Sequence, residues 1–362
     1  TPNNTSLTAT YNPSAAERAA RTVTLTLTTN DPDGICTAVS DQVTISIGTM
    51  PTVAVLTSSG DACFGTSSWL NIAVTGGGDP YRISYTLNGV ARPDITTYYN
   101  NTHFNLGPLA VGTYTYARTE IRDNCGNILS GAGINPVSFQ IYQNPVANAG
   151  SDQGSCSGLT AALSAIRSVG IGTWTLVSGP GTANFSPNAN AYNATLTVSQ
   201  YGSYVLRWTE VNGGICSSYS DKTVLFERPA DAGTAQNLCG TLSATLAGNT
   251  PAVGQGTWTL VSGPAGGTVS FTPSINTPNA TATVSRYGSY VFRWTIDNNG
   301  FCSSNQTVSI GYNPAGQVNK PADIFVCNGS VTAPVVFTTS NTGGTTTYEW
   351  TNNNINIGLA GS

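Results

Sequence analysis

An internal repeat constrains the fold of this chain more than any other feature of its sequence. The stretch NATLTVSQYGSYVLRWTE at 193–210 returns as NATATVSRYGSYVFRWTI at 279–296, and GTWTLVSGP at 172–180 recurs at 256–264. The copies are offset by 84 to 86 residues throughout. A fixed period of this kind predicts a tandem array in which each copy is one folding unit.

The segments on either side of the two repeats show the same order of features with less similarity. Residues 51–144 contain an early cysteine, a strand pattern, a Gly-Thr-Tyr strand and a late cysteine, in that order. We therefore predict five segments, which are the C-terminal part of a module at 1–50, a module at 51–144, repeats at 145–229 and 230–315, and the N-terminal part of a further module at 316–362.

Hydrophobic periodicity indicates the secondary structure of these units. In YGSYVLRWTE, the residues Tyr204, Leu206 and Trp208 lie at every second position, which is typical of a strand with one buried face. Turn clusters interrupt the strands at short intervals, and the only helix-like stretch is PSAAERAA at 13–20. The pattern predicts an all-β fold of tandem immunoglobulin-like β-sandwich modules in an extended array.

Large aromatic residues at the repeated positions are the candidate core anchors. Tyr204 and Tyr290 follow a YGS turn, where a tyrosine hydroxyl can pin the corner that leads into a late strand. Trp208 and Trp294 would share the inward face of that strand, and the tryptophans of GTWTL would meet them from the opposing sheet. The six predicted anchors are Trp174, Tyr204, Trp208, Trp258, Tyr290 and Trp294.

The eight cysteines follow a regular spacing. One histidine and no CxxC pair argue against a zinc framework. The early and late cysteines of successive modules are 62, 60 and 63 positions apart, which predicts one disulfide inside each module and an oxidising compartment. The alternative is a set of scattered, buried free thiols. The predicted pairs are Cys63 with Cys125, Cys156 with Cys216, and Cys239 with Cys302.

Two cysteines are left over by this pairing. Cys36 lies in a stretch like that around the late cysteine Cys216, and Cys327 is placed like an early cysteine. At the same spacing, their partners would fall before residue 1 and after residue 362. We therefore expect the polypeptide to continue in both directions as further modules.

Composition excludes several classes of function. Only 8% of the residues are charged, the chain has only two lysines, and its net charge is −4. The chain therefore lacks the basic patches that bind nucleic acid or anionic membranes. No apolar run approaches the ~18 residues of a membrane span. We predict no nucleic-acid partner and no membrane insertion.

Residues suited to catalysis are sparse. His103 is the only histidine, and no serine lies in a nucleophile-elbow pattern. The five glutamates are dispersed over different modules, so no carboxylate pair is expected to form a hydrolytic site. The sequence predicts no enzyme, no catalytic residues and no cofactor-binding residues.

Calcium is the one cofactor that the sequence leaves open. The stretch NDPDG places Asn30, Asp31 and Asp33 close together, and oxygen ligands at such short spacing can hold calcium. The stretch lacks the twelve-residue EF-hand pattern, and Asx-rich turns between strands have their own hydrogen-bonding reasons. A turn without an ion is the competing interpretation.

Several stretches resemble known modules. PVANAGSDQ, GTWTLVSGPG, NATLTVSQYGSYVLRWTE and CSSYSDKTVLF resemble the PKD-like and Ig-like modules of giant Bacteroidota surface proteins, although the usual WDFGDG motif of PKD domains is missing. Such arrays occur in adhesins of the gliding-motility, SprB-like type, which the type IX secretion system exports. The resemblance implies a structural or adhesive stalk segment, outside the cell and at its surface. It implies as partners a surface polysaccharide or other cell-surface ligand, the envelope or secretion machinery, and neighbouring repeats of the same chain.

Two other functions fit the same sequence. The modules could be a non-catalytic spacer of a secreted hydrolase whose active domain lies elsewhere in the polypeptide. They could also be carbohydrate-binding modules that use exposed aromatic residues such as Tyr98, Tyr99 and Phe104 in TTYYNNTHF.

Overall fold

The computed structural model describes residues 10–29, 37–131, 135–341, 346–349 and 351. Within these residues the chain forms one short helix and 26 strands, so the predicted all-β fold of tandem immunoglobulin-like sandwich modules is confirmed. The chain divides into two compact units. One comprises Thr1–Val146, Ser168–Ile171 and Glu210–Ser218, and the other comprises Ala147–Arg167, Gly172–Thr209 and Tyr219–Ser362.

The N-terminal segment forms a helix followed by a hairpin. Helix α1 (Ala15–Ala20) begins after Ser14, whose side chain accepts a hydrogen bond from the backbone of Glu17 while the Glu17 carboxylate binds back to Ser14. This reciprocal capping box satisfies amides that a short helix otherwise leaves without partners. Strand β1 (Thr22–Thr28) then pairs antiparallel with β2 (Ser40–Ser46).

Residues 51–144 form two sheets around a core that includes the fully buried Ile83, Ile121 and Ile141. The smaller sheet has the order β3-β5-β9. The larger has the order β4-β12-β10-β6-β7, with β11 beside β10 and β8 beside β6. The strands are β3 (Val53–Ser58), β4 (Ala62–Cys63), β5 (Ser67–Thr75), β6 (Tyr81–Leu87), β7 (Val90–Ala91), β8 (Ile95–Tyr98), β9 (His103–Pro108), β10 (Gly112–Arg122), β11 (Ile128–Ser130) and β12 (Val137–Tyr142).

The first repeat, residues 145–229, forms a four-stranded and a three-stranded sheet. Their orders are β13-β19-β18-β15 and β14-β17-β16. The strands are β13 (Gln153–Ser155), β14 (Thr160–Ala162), β15 (Ile171–Ser178), β16 (Ala183–Ser186), β17 (Thr195–Val198), β18 (Gly202–Asn212) and β19 (Cys216–Phe226).

The second repeat, residues 230–315, has the same strand order in its sheets, β20-β26-β25-β22 and β21-β24-β23. The strands are β20 (Gln236–Cys239), β21 (Ser243–Thr245), β22 (Gln255–Ser262), β23 (Val269–Thr272), β24 (Thr281–Val284), β25 (Gly288–Asp297) and β26 (Ser303–Asn313). After this repeat, the described residues up to 341 contain a single bridge, between Asn319 and Thr338.

In each of these three segments the first strand of the larger sheet pairs in parallel with its last strand. Cys63 of β4 lies opposite Tyr142 of β12, and Cys239 of β20 lies opposite Asn313 of β26. In the first repeat, β13 pairs with β19 in the same way. The early cysteine therefore lies at the C-terminal end of the last strand of its own module.

The six aromatic anchors are all buried, with at most 1% of each residue exposed. Trp258 and Trp294 are direct cross-strand partners on β22 and β25, and their ring centroids are 4.9 Å apart. The prediction that the two tryptophans come from opposing sheets is therefore wrong. Residues directly opposite on neighbouring antiparallel strands project to the same face of one sheet, so the two rings lie side by side.

The opposing sheet supplies small residues to the tryptophan pair. Ala244 of β21 and Ala282 of β24 are buried in the same core cluster as Trp258 and Trp294. Small residues on one sheet leave the space that two indole rings on the other sheet require, as interdigitated core packing demands.

Tyrosine hydroxyls hold the corners before the long strands. Tyr204 and Tyr290 donate hydrogen bonds to the backbone carbonyl oxygens four residues earlier, at 2.9 and 3.0 Å. Tyr114 makes the same bond at 3.0 Å in the 51–144 module. The geometry is that of the tyrosine corner of immunoglobulin-like sandwiches.

We predict that Gly256→Ala destabilises the second repeat by about 1–3 kcal/mol, the usual cost of overpacking a core. A methyl group at Gly256 would overlap the ring of Trp294, as one at Gly172 would overlap Trp208. Urea denaturation of the full chain measures the change. Gly316→Ala is the control, because Gly316 has no atom within 4 Å of an added Cβ. Equal midpoints for both variants would contradict the prediction.

We predict that the second repeat loses stability as the pH rises from about 10 to about 12. The Tyr312 hydroxyl is buried and donates a 3.2 Å hydrogen bond to the Ala282 carbonyl. Burial is the larger cause, and the nearby Tyr290 the smaller cause, that raises the pKa of Tyr312 to about 12. Because the pKa of Tyr312 is higher in the folded state than in the unfolded state, the protonated hydroxyl stabilises the fold. This contribution is complete below the unfolded-state pKa of about 10 and is lost as the pH rises through the folded-state pKa. The loss is roughly 2–3 kcal/mol at 1.36 kcal/mol per pKa unit.

The sister repeat suggests the variant that tests this pH dependence. Phe226 ends β19 at the position that Tyr312 holds in β26. Tyr312→Phe should remove most of the stability loss between pH 8 and pH 11.5, measured by urea denaturation. Tyr287→Phe is the control, since Tyr287 is exposed and should leave the loss unchanged. An unchanged loss in the Tyr312 variant would contradict the assignment.

Candidate functional site

The single histidine has a packing contact. His103 lies in β9 with its imidazole stacked on the indole of Trp69, with centroids 4.1 Å apart and planes 9° apart. Among the described residues, no group of three or more histidine, cysteine or acidic side chains could hold a metal ion. The calcium candidates Asn30, Asp31 and Asp33 lie outside the described residues, so calcium binding there stays a prediction.

The aromatic residues suggested for sugar binding are not presented together. Tyr98 is buried, and its hydroxyl bonds to the backbone of Ile72 and donates to the Thr102 carbonyl at 2.7 Å. Phe104 packs partly buried against the same core. Only Tyr99 of the three is exposed. The prediction of an exposed platform of all three residues is therefore wrong.

The disulfides join neighbouring modules instead of closing single ones. Cys63 of the 51–144 module is bonded to Cys216, the late cysteine of the first repeat. Cys156 of the first repeat is bonded to Cys302, the late cysteine of the second repeat. The predicted pairs of Cys63 with Cys125, Cys156 with Cys216 and Cys239 with Cys302 are therefore wrong. Cys125, Cys239 and Cys327 are free and exposed, and Cys36 lies outside the described residues.

Strand length explains why the predicted pairs do not form. In the second repeat, Cys239 lies opposite Asn313 at the end of β26, whereas Cys302 precedes the first residue of that strand. An eleven-residue strand separates the two sulfurs by roughly 35 Å at about 3.3 Å per residue. A disulfide requires Cα atoms no more than about 7 Å apart. The early cysteine of the second repeat is therefore out of reach of the late cysteine of the same repeat.

We call each such bond, from an early cysteine to the late cysteine of the following module, an inter-module staple. Around the Cys63–Cys216 staple, Asn212 donates through Nδ2 to the Gln143 carbonyl at 2.8 Å. Gly213, at φ 62°, lies against the ring of Tyr142, where a side chain would overlap it. The hairpin before the late cysteine is therefore fitted to the end of the preceding module.

The Cys156–Cys302 staple has a matching environment. Asn298, four residues before Cys302, donates through Nδ2 to the Leu225 carbonyl at 3.3 Å. Phe301 lies against Gly154, where an added Cβ would overlap it. Asn212 and Asn298 are at equivalent positions in the repeats. At both staples, an asparagine side chain therefore donates a hydrogen bond to a backbone carbonyl of the preceding module.

In each repeat, a buried carboxylate binds the loop before the GTWTL strand. Glu227, fully buried in the linker after β19, accepts hydrogen bonds from the backbone amides of Ala252, Val253 and Gly254 at 2.7, 2.9 and 2.6 Å. Three amides around one carboxylate replace the water that a buried charge loses. At the first staple, the buried Glu210 binds the amide and hydroxyl of Ser168, the residue equivalent to Ala252.

The arrangement is suited to holding neighbouring modules together. The sequence contains a pattern that indicates these contacts between modules, although the spacing of the cysteines alone does not reveal it. Asparagine, glycine and cysteine recur at matching positions in NGGICSS and NNGFCSS, which marks the hairpin as a repeated contact surface. The role of Glu227 had no such signal, because the sister position before the first repeat is Tyr142.

No protein-family model matches the sequence, and no curated protein matches it. Several solved structures are similar to parts of this chain. An I-band fragment of titin with three immunoglobulin domains has 16% identity and a TM-score of 0.41, and covers 73% of this chain and 99% of that one. The insect immune protein hemolin has 12% identity and a TM-score of 0.30, over 72% of this chain and 76% of that one. Fibronectin(III)-like modules of Clostridium thermocellum CbhA have 10% identity and a TM-score of 0.28, over 48% of this chain and 95% of that one.

We predict that Glu227→Gln loosens the junction at 252–254. The glutamine amide has one acceptor oxygen where the glutamate carboxylate has two, and its N–H groups would face the backbone donors. Each lost hydrogen bond to the charged carboxylate costs about 1.5–3 kcal/mol of stability. Hydrogen exchange of the Ala252, Val253 and Gly254 amides should accelerate by a factor of ten or more. Glu120→Gln is the control, because Glu120 forms only a surface ion pair with Arg122. Unchanged exchange at 252–254 would contradict the role of Glu227.

Proposed function

We propose that this chain is a structural, tension-bearing and adhesive stalk segment of a large secreted cell-surface adhesin. The observation that carries the proposal is the pair of inter-module staples, because they join successive modules covalently. Disulfides persist in oxidising compartments, which supports a location outside the cytoplasm. In the part of the chain that the structure describes, no helix has the length and apolar character needed to cross a membrane.

The finer assignment rests on the sequence resemblance. We propose the gliding-motility type of adhesin, exported by type IX secretion and anchored at the cell surface. Its partners would be a surface polysaccharide or other cell-surface ligand, the envelope or secretion machinery, and neighbouring repeats. The five-segment division at 1–50, 51–144, 145–229, 230–315 and 316–362 is part of this proposal.

The staples limit how far the chain can be stretched. Between Cys63 and Cys302 the open polypeptide spans 239 residues, or roughly 800 Å when fully extended at about 3.4 Å per residue. With both staples closed, the shortest covalent path runs through Cys216 and back to Cys156. That path contains 60 residues, or roughly 200 Å. A stalk built in this way keeps most of its chain out of the line of force even when both repeats unfold.

Single-molecule pulling on the full chain tests this function. Cys63→Ser leaves a shortest path of 93 residues and Cys156→Ser one of 86, so each variant should lengthen the unfolded chain by only about 100 Å. The double variant restores all 239 residues and should add roughly 600 Å. This non-additive gain is expected only if the two closed loops overlap.

Cys125→Ser is the matched control. Cys125 is a free thiol, so its replacement should leave the length unchanged. Pairing inside each module predicts instead a gain of roughly 200 Å for this variant, from the 62 residues between Cys63 and Cys125. A gain of that size, or equal lengths for the oxidised and reduced wild-type chains, would overturn the tension-bearing role.

A further inference from the structure

Cys239 holds in the second repeat the position that Cys156 holds in the first. Gln153 and Gln236 begin equivalent strands, and each donates through Nε2 to the carbonyl nine residues later, at 3.0 and 2.9 Å. The cysteine follows three residues after the glutamine in both repeats. The two thiols are therefore presented at the same end of the same parallel strand pair.

The other early cysteines that belong to this strand pairing are both bonded. Cys63 and Cys156 each hold a late cysteine of the following module, whereas Cys239 is free and exposed. We propose that Cys239 is the receiving half of a third inter-module staple and forms a disulfide with the late cysteine of another module of this class. The inference goes beyond the proposed function, since it identifies a covalent attachment site.

The neighbours of Cys239 specify the group that docks there. The carbonyl that Asn298 recognises belongs to Leu225, which lies opposite Gly154; the corresponding pair in the second repeat is Gly311 and Asn237. Where the docking hairpin has an asparagine four residues before its cysteine, as in both repeats, we expect that asparagine to donate to the Gly311 carbonyl. Because Asn237 has a side chain where Gly154 leaves room for a phenylalanine, we expect a smaller residue before the docking cysteine.

Two sources can supply this hairpin. One is a module that follows in a longer polypeptide. The other is a second copy of this chain through Cys125, which is free and lies in the hairpin after β10, where Asp123 Oδ1 accepts from the Cys125 amide at 2.9 Å. In either case, two thiols exchange with a small-molecule disulfide, which accepts the two electrons and two protons and leaves as two thiols.

The test maps the disulfide partner of Cys239. The full chain is treated with oxidised glutathione, and the polypeptide exported by its own cells is isolated in parallel under thiol-blocking conditions. Peptides from both samples are analysed without reduction by mass spectrometry. Cys239→Ser is the test variant, and Cys327→Ser is the control, because Cys327 lies outside any strand that the structure describes.

The outcomes separate the two sources. A peptide that joins Cys239 to Cys125, with covalent oligomers that Cys239→Ser abolishes and Cys327→Ser retains, identifies a second copy as the partner. A peptide that joins Cys239 to a late cysteine of a following module identifies the longer polypeptide. The proposal is overturned if Cys239 remains a free thiol in the exported protein and carries only glutathione in the treated chain. A bond from Cys239 to Cys327 would also overturn it.

Discussion

Parallel pairing of the first and last strands in each module determines where the cysteines can react. In the second repeat, β20 pairs with the C-terminal part of β26. The early cysteine therefore lies at the end of the module from which the chain continues into the next module. The late cysteines of the two repeats, Cys216 and Cys302, lie at or just before the first residue of the last strand, at its opposite end. In both repeats a strand of eleven residues keeps the early and late cysteines of the same repeat too far apart for a disulfide.

The junctions also follow the rule that buried backbone amides require acceptors. The loop before the GTWTL strand presents its amides toward the junction in both repeats. In the first repeat, Glu210 of the same repeat accepts from Ser168; in the second, Ile296 occupies the position of Glu210, and Glu227 from the preceding repeat accepts instead. A buried carboxylate binds this loop in both repeats, although its position in the sequence changes.

Staples of this kind alter the mechanical behaviour expected from a tandem array. A disulfide inside each module would let the modules unfold as separate units. Bonds between modules produce two closed loops, of 153 and 146 residues, that share the stretch from Cys156 to Cys216. Tension on one junction is then carried partly by the chain of the next module, which couples modules that have separate hydrophobic cores.

The sequence by itself determined the all-β fold, because alternating residues and a fixed repeat period depend only on local geometry. It also identified residues such as Trp208 and Trp294 as buried anchors, since a large aromatic at a repeated inward position has few alternatives to the core. Only the tertiary structure decided which sheet holds each tryptophan and which cysteines pair. Spacing along the chain favoured bonds over about 60 residues, whereas pairing depends on distance in space, and the strand register places the nearest sulfur in the next module.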